Sequence, residues 1–509
     1  MNVSEPHSLT FRQALLAMLG VSLVLMLSAL DQTVIGNALP SIANQLQGYE
    51  YYAWVATGYL LTSIVTIPIF GRLGDYYGRK PFVMAATVLF TLASILCALA
   101  QEMWVLVIGR ALQGIGGGML VGTAFACIPE LFSDTRRRLR WQMLLSTLFS
   151  VVNALGPGIG GYLTGHFGWR SVFWLNLPFG LVALFFAWRY LPWYRPQRRG
   201  AIRLDWLGAL LIVVILGSLQ LLVDRLGRSG LALTLGLALL CLLATAALVW
   251  QERRSHHALL PAALFADRRI NLLFVLALLA GGVMFTLLFY LPLLLQGGYG
   301  YSPATAGLLI TPLALSITVG ALINNRVMMA LANPNILPLL GFSVLLTACL
   351  ALSVIGANAS FEGLLLLILG AGTGLGFVLL NLTVFTQTLA ERQYLGIATA
   401  LQQSLRLVGG LIGTALMSTL VNLLYGYFLR ARLAADGRDA AYATLRDPQV
   451  LLSHAGQHSP ELLRLAQGAL VQAIDVGLLG CALAGLVAVV ILRRLPAVDL
   501  HARRAGASS

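Results

Sequence analysis

Apolar runs of about twenty residues, separated by short polar stretches, repeat along almost the whole chain. A helix rising 1.5 Å per residue needs about 20 such residues to cross the roughly 30 Å hydrocarbon core of a bilayer. Inside that core only a helix satisfies its own backbone hydrogen bonds within one segment. Fourteen runs meet the length: 14–39, 53–70, 82–100, 104–126, 141–163, 171–190, 206–223, 231–250, 270–294, 303–324, 335–355, 361–385, 397–424 and 470–492. The first continues into Asp31–Pro40 with no small-residue cleavage site after it, so it reads as a retained helix and not a signal peptide.

Composition sharpens this picture. Of 509 residues, 58% are hydrophobic and 10% charged, against roughly 25% charged in an ordinary soluble chain. A water-soluble enzyme cannot be clothed with so few charges. The net charge of +14 would suit a nucleic-acid partner, but the basic residues are segregated by loop. With the N-terminus inside, 23 of the 33 fall on the inner side and 8 on the outer, while Arg110 and Arg406 lie within spans. Basic residues concentrate on the cytoplasmic side of membrane proteins. The expectation is therefore a multi-pass membrane protein with both termini cytoplasmic, a lipid bilayer as its surroundings, and no nucleic acid. The five cysteines lie far apart in apolar runs, without metal-ligand spacing.

Fourteen divides naturally as six, two and six. A six-helix bundle is expected over 1–193, two linker helices over 194–269, and a second six-helix bundle over 270–509 with a long outer loop near 425–469. The halves echo each other, as in transporters built from repeats. Leu39-Pro40 and Pro68 precede a tight polar loop in one half; Leu291-Pro292 and Pro312 precede another in the second. Gly114, Gly116, Gly117 and Gly118 correspond to Gly370, Gly372, Gly374 and Gly376.

Seven histidines all fall outside the spans, which argues against an intramembrane metal centre; His454, His458 and Glu461 in the outer loop are spaced equally well for a solvated helix. Asp31 is the only acid well inside a span, with Asp224, Glu362 and Asp475 nearer outer ends. An intramembrane carboxylate costs about 2.5–3.5 kcal/mol on insertion scales, so its default reading is functional. Arg110 lies at matching depth, both residues being ~10–12 Å below the outer edge, and Gln113 is one turn further along. A carboxylate beside a cation in an apolar setting can load and release protons. Arg406 is a second buried cation, ~14 Å from the inner edge. Gly156, Pro157, Gly160 and Gly161 mark a place where helices approach closely. In the inner loop 71–80, Asp75 stands among Arg72, Arg79 and Lys80, flanked by Gly71, Gly74 and Gly78. An acid there can meet a helix N-terminus or a neighbouring Arg and latch helices on the inner face.

These strings resemble the major facilitator superfamily, in particular its fourteen-span drug:proton antiporter branch. Residues 71–80 resemble the signature GxLaDrxGrK, with Tyr76 where Arg is usual. Arg110, Gln113 and Gly114 resemble the fourth-helix RxxqG motif. Gly156-Pro157 with Gly160-Gly161 resembles the second half of gxxxGPxxGG, whose first glycine is Val152 here. Leu30-Asp31-Gln32-Thr33 through Pro40 resembles the branch's first-helix motif, with Gly36 where Asn is usual. Trp169-Arg170, Phe173, Asn176, Pro178 and Gly180 resemble WRxxFxxNxPxG, and Arg406 with Gly409, Gly410 and Gly413 resembles a late-helix RxxGGxxG pattern. The resemblance implies an all-α major facilitator fold and export of amphipathic, often cationic, compounds in exchange for protons, with no cofactor beyond the proton gradient. It assigns proton coupling to Asp31 and Arg110. It assigns the substrate cavity and its motifs to Thr33, Gln113, Gly156, Pro157, Gly160, Gly161 and Arg406, and a cytoplasmic latch to Gly71, Asp75, Gly78, Arg79 and Lys80. A monomer is expected, with or without accessory envelope proteins. Export of one specific metabolite, siderophore, lipid or antibiotic is the alternative; a membrane enzyme or sensor would need a polar catalytic cluster in the spans or an appended soluble domain, and neither is visible.

Overall fold

The computed structural model describes residues 11–46, 52–132, 135–193, 205–225, 231–254, 262–301, 303–328, 330–331, 333–355, 360–391, 394–436, 441–445, 459–496 and 498. Among these residues the chain is helical, with no strand. The helices are α1 (Phe11–Leu46), α2 (Tyr52–Tyr77), α3 (Lys80–Leu99), α4 (Met103–Leu131), α5 (Thr135–Phe167), α6 (Arg170–Trp174), α7 (Asn176–Tyr190), α8 (Trp206–Arg225) and α9 (Leu231–Arg254). They continue as α10 (Arg268–Leu293), α11 (Pro303–Met328), α12 (Ile336–Ile355), α13 (Phe361–Leu389), α14 (Leu395–Ala435), the short α15 (Tyr442–Leu445) and α16 (Pro460–Arg493).

Eleven of the described helical segments are long and apolar enough to cross a membrane, and α2, α5 and α8 occupy three further places where the apolar pattern predicts a span. Leucines at 233, 235, 239, 240, 242 and 243 on α9 are all exposed, a surface that only lipid would solvate. The protein is a multi-pass membrane protein.

Two features differ from the expectation. The sixth span is broken at Leu175 into α6 and α7. The C-terminal end of α14 and the N-terminal end of α16 run beyond their apolar runs, to Ala435 and from Pro460, so the expected loop 425–469 is helical at both ends. Those extensions carry polar residues that hydropathy alone assigns to a loop. Ser459 starts α16 properly, accepting from the Leu462 N–H, with Pro460 in the first turn. His454 and His458 lie outside the described residues.

The chain divides into two compact units. Unit 1 comprises the described residues of Met1–Val214, Ala244–Ile270 and Thr386–Ser404; unit 2 those of Ile215–Leu243, Asn271–Phe385 and Leu405–Ser509. In unit 1, α2 packs on α4, α1 on α5 and α7, and α3 on α4 and α7. The Asp205 carboxylate accepts from the Gly208 N–H at 2.8 Å and from Gln251 Nε2 at 3.4 Å, tying α8 to α9. In unit 2, α12 packs on α16.

The glycine echo becomes a packing rule. A Cβ at Gly114 or Gly118 would stand 2.3 or 2.4 Å from the carbonyl oxygen of Tyr59 or Ser63 on α2. One at Gly372 or Gly376 would stand 2.3 or 2.2 Å from that of Leu313 or Ile317 on α11. Both units therefore press a four-residue glycine row against a neighbouring backbone, the arrangement small residues permit between membrane helices. Gly376→Ala is expected to lower the melting temperature of the purified protein, with an overpacking cost of about 1–3 kcal/mol. Gly480→Ala, where a Cβ meets nothing within 4 Å, should leave it near wild type. Equal melting temperatures would remove the packing argument.

Candidate functional site

The middle of unit 1 holds a polar cluster inside an apolar shell. Leu30, Val34 and Ile35 of α1, Cys97 of α3, Leu106 of α4 and Phe173 of α6 belong to one buried core. Within it, Asp31 and Arg110 are each 1% exposed and form an ion pair. The Asp31 carboxylate also accepts from Gln113 Nε2 at 3.1 Å and from Asn176 Nδ2 at 3.1 Å, so three donors from α4 and α7 converge on it. Arg110 is held on its other sides: Nη1 donates to Gln113 Oε1 at 2.9 Å, Nε donates to the Val55 carbonyl at 3.1 Å, and the guanidinium lies 4.5 Å from the centre of the Tyr59 ring. Tyr59 and Ser28 share a hydrogen bond of 3.0 Å. A Cβ at Gly117 would stand 2.4 Å from the Tyr59 hydroxyl oxygen, so that glycine makes the room the ring needs.

Ser94 completes the network. Its Oγ donates to the Phe90 carbonyl at 3.0 Å and accepts from Gln113 at 2.6 Å and Asn176 at 3.1 Å. A buried ion pair survives desolvation when further hydrogen bonds satisfy its remaining atoms, and here α2, α4 and α7 contribute them, with Ser94 of α3 behind Gln113 and Asn176.

The structure thus brings Asp31, Arg110 and Gln113 together. Asn176 is in the sixth-helix string the sequence singles out, but its reach to Asp31 depends on the break at Leu175. Ser94 carries no signal of its own, since serines within apolar helices commonly bond back to the preceding turn. Gly160 seats α5 on α1, a Cβ there standing 2.5 Å from the Val34 carbonyl oxygen; Gly156 is buried beside it. Thr33, Pro157 and Gly161 lie on helices, but their side-chain surroundings fall outside the described residues. At one end of unit 1, Gln45 accepts from Trp169 Nε1 at 2.6 Å and Arg170 Nη1 at 3.2 Å, and Arg170 Nη2 donates to the Ala100 carbonyl at 2.9 Å.

At the opposite end of these helices a second constellation forms from the last two turns of α2, which make 71–77 of the expected loop 71–80 helical, and from the short turn that follows. Gly78 adopts φ 85°, a left-handed turn that side chains disfavour, and its N–H closes on the Gly74 carbonyl at 3.0 Å. The turn brings Arg79 Nη2 to the Asp75 carboxylate at 2.8 Å. The other Asp75 oxygen accepts from the Ile397 N–H at 3.0 Å, in the first turn of α14. Negative charge is favoured at a helix N-terminus, where backbone N–H groups lack helical partners. Gly71 fits against Ala400, and a Cβ at Gly396 would stand 2.0 Å from Asp75 Oδ1. Lys80 Nζ donates to the Trp188 carbonyl at 2.7 Å. Tyr76, where Arg is usual in the signature, lies beside the Arg72 guanidinium, 6.0 Å from ring centre to Cζ.

Arg406 belongs to unit 2. Its backbone carbonyl sits 1.9 Å from where a Gly281 Cβ would be, and Gly409 approaches the Leu278 carbonyl as closely, so the RxxGGxxG pattern is the seam between α14 and α10. Arg406 Nε is buried without a hydrogen-bond partner among the described residues.

Residues 21–414 match the profile of the Major Facilitator Superfamily. The chain belongs to that family. It is a transporter acting on small molecules, and its fold is the family's. Multidrug transporter protein MdtP of Bacillus subtilis (strain 168) is 30% identical over 423 residues, 81% of this chain and 76% of that one. Multidrug resistance protein 3 of the same organism is 30% identical over 404 residues, 79% and 78% of the two chains. Multidrug resistance protein Stp of Mycobacterium tuberculosis (strain CDC 1551 / Oshkosh) is 29% identical over 415 residues, 81% and 76%. Among solved structures, the human organic anion transporter MFSD10 aligns with a TM-score of 0.60 and 16% identity, covering 94% of this chain and 99% of that one. The proton:xylose symporter XylE aligns with a TM-score of 0.58 and 14% identity, covering 96% and 97%. These two likenesses concern the fold alone.

Proposed function

We propose that this chain is a proton-coupled antiporter that exports amphipathic, often cationic, compounds across a bacterial inner membrane, with both termini cytoplasmic. The observation that carries the reading is the Asp31 carboxylate, buried in unit 1 with three converging donors and an arginine partner. A proton arriving on Asp31 removes half of the ion pair and sets an O–H against a donor. Arg110 then keeps only Gln113, the Val55 carbonyl and the Tyr59 ring. The protonated and ionised forms therefore favour different arrangements of α1, α4 and α7. A cationic guest favours the ionised form and a proton the neutral one, so the two exclude each other, which is the condition for exchange. A guest moves the equilibrium only through its differential affinity for the two arrangements. The relatives named as multidrug transporters and resistance proteins support export of varied compounds as the direction of transport. The proton gradient serves as energy source, no cofactor takes part, and a monomer with two six-helix bundles and two linker helices suffices.

Reconstituted protein tests this directly. In proteoliposomes with an acid lumen, the outward-directed proton gradient should drive accumulation of a lipophilic cation in the lumen against its own gradient, with guest-dependent proton movement in the opposite direction. Guest transport without proton movement would overturn the coupling. Orientation is tested separately: reporter fusions at Ser255 and His454 should report cytoplasm and exterior respectively, because 23 of the basic residues fall on one side against 8 on the other. The same side for both would break the fourteen-span topology.

A further inference from the structure

Unit 2 contains a second intramembrane acid that the coupling scheme does not use. Asp475 is half-buried on α16, ~27 Å along the helix from Arg493, and its Oδ1 is buried without a hydrogen-bond partner among the described residues. No basic side chain forms an ion pair with it among the described residues. Arg432 of α14 lies against Gly468, about 10 Å or two turns along α16 from Asp475.

The segment facing this part of α16 is irregular. Directly after Pro292, Leu294–Gly298 forms a single π-helical turn, a conformation enriched at functional sites. The turn closes with Tyr299 N–H on the Leu294 carbonyl at 2.8 Å and Tyr301 N–H on the Leu295 carbonyl at 2.9 Å. It is seated on one face of α16: a Cβ at Gly298 would stand 2.8 Å from Val471 Cγ2, and one at Gly300, which has φ 71°, would stand 3.2 Å from Gln467 Nε2. Asp475 follows Val471 by one helical turn on the same face. The Tyr299 hydroxyl is buried and also lacks a hydrogen-bond partner among the described residues. Burial, with the Asp475 charge nearby and Tyr301 beyond it, pushes the Tyr299 phenol up to about 12. The Tyr299 and Tyr301 rings pack edge to face, 6.2 Å between centres.

We propose that Asp475, Tyr299 and Gln467 form a second binding site in unit 2, one that takes the positively charged group of an organic cation. A partly buried carboxylate without a basic partner either keeps its proton or takes a countercharge, and aromatic faces next to it suit a bulky, weakly hydrated cation. The site rests on the reading of the chain as an exporter of cationic compounds and adds a place on unit 2 where such a compound is held.

Equilibrium binding of tetraphenylphosphonium to the purified full-length protein tests it, in an Asp31→Asn background that silences the site in unit 1. Adding Asp475→Asn should weaken binding about tenfold or more, the loss of one ion pair of about 1.4 kcal/mol. Adding Asp475→Glu instead should recover most of the affinity, and the neutral triphenylphosphine oxide should bind all three proteins alike. Melting temperatures identify any variant that fails to fold, and the Glu variant keeps the test open in that case. Unchanged tetraphenylphosphonium affinity in the Asn variant would overturn the proposal. So would an equal loss for the neutral oxide, or loss of one titrating proton with cation affinity intact. Export by the wild-type protein is measured alongside. Asp475-dependent binding without export would sink the transporter reading alone; export with Asp475-independent binding would sink this site alone.

Discussion

Asp31→Asn is expected to reduce proton-driven export by about 100-fold or more, the scale on which a positioned proton-transfer group contributes. Asparagine keeps the shape and offers one acceptor oxygen where Asp31 offers two, so it can accept either from Arg110 or from Gln113 and Asn176, but it cannot carry a proton. The loss should be larger for cationic guests than for neutral ones, because a charge partner disappears as well. Arg110→Ala should impair coupling too, with a greater loss of stability. It strands the buried Asp31 carboxylate, and breaking a buried pair by removing one partner costs about 3–5 kcal/mol. In Asp31→Asn the remaining arginine still has the Val55 carbonyl, Gln113 and the Tyr59 ring. Asp31→Glu should retain part of the activity with an altered pH profile. Guest-linked proton release from proteoliposomes at several pH values, read with melting temperatures, distinguishes these outcomes. Undiminished release in Asp31→Asn would remove Asp31 from the coupling scheme.

The next largest effect is expected at the end of α2 and the turn after it. Asp75→Asn exchanges a charged acceptor for a neutral one at Arg79 and at the first turn of α14. Hydrogen bonds to charged groups contribute about 1.5–3 kcal/mol, so a conformation held by this contact should fall about 10- to 100-fold in relative population. Gly396→Val attacks the same contact from the α14 side, since a Cβ there would meet the Asp75 carboxylate at 2.0 Å. Gly78→Leu attacks the turn that presents Arg79, because leucine disfavours φ 85°. All three should slow transport while the amount of protein in the membrane stays near wild type. Transport rate and membrane amount are measured on the same cells. Wild-type rates in Asp75→Asn and Gly396→Val would mean that the loop serves membrane insertion only.

Sequence alone carried the class of molecule and much of its polar logic. Apolar run length, the segregation of arginines and the rarity of intramembrane acids are one-dimensional signals, because the bilayer sorts side chains by depth and depth follows chain position. The same reasoning brought Asp31 and Arg110 to a common level and marked Asp75 as the odd acid in a basic loop. Depth does not specify angle. Which helix faces which, and hence that Ser94, Tyr59 and Asn176 close around Asp31, depends on helix rotation. Packing sets that rotation through contacts such as Gly117 with Tyr59 and Gly114 with the α2 backbone. The break at Leu175, the meeting of Asp75 at the end of α2 with the N-terminus of α14, and the π-helical turn that faces Asp475 are likewise tertiary outcomes. Each joins residues remote in sequence whose pairing has no local periodicity. Sequence fixes how deep a polar group lies, and only the packed helices decide what it touches.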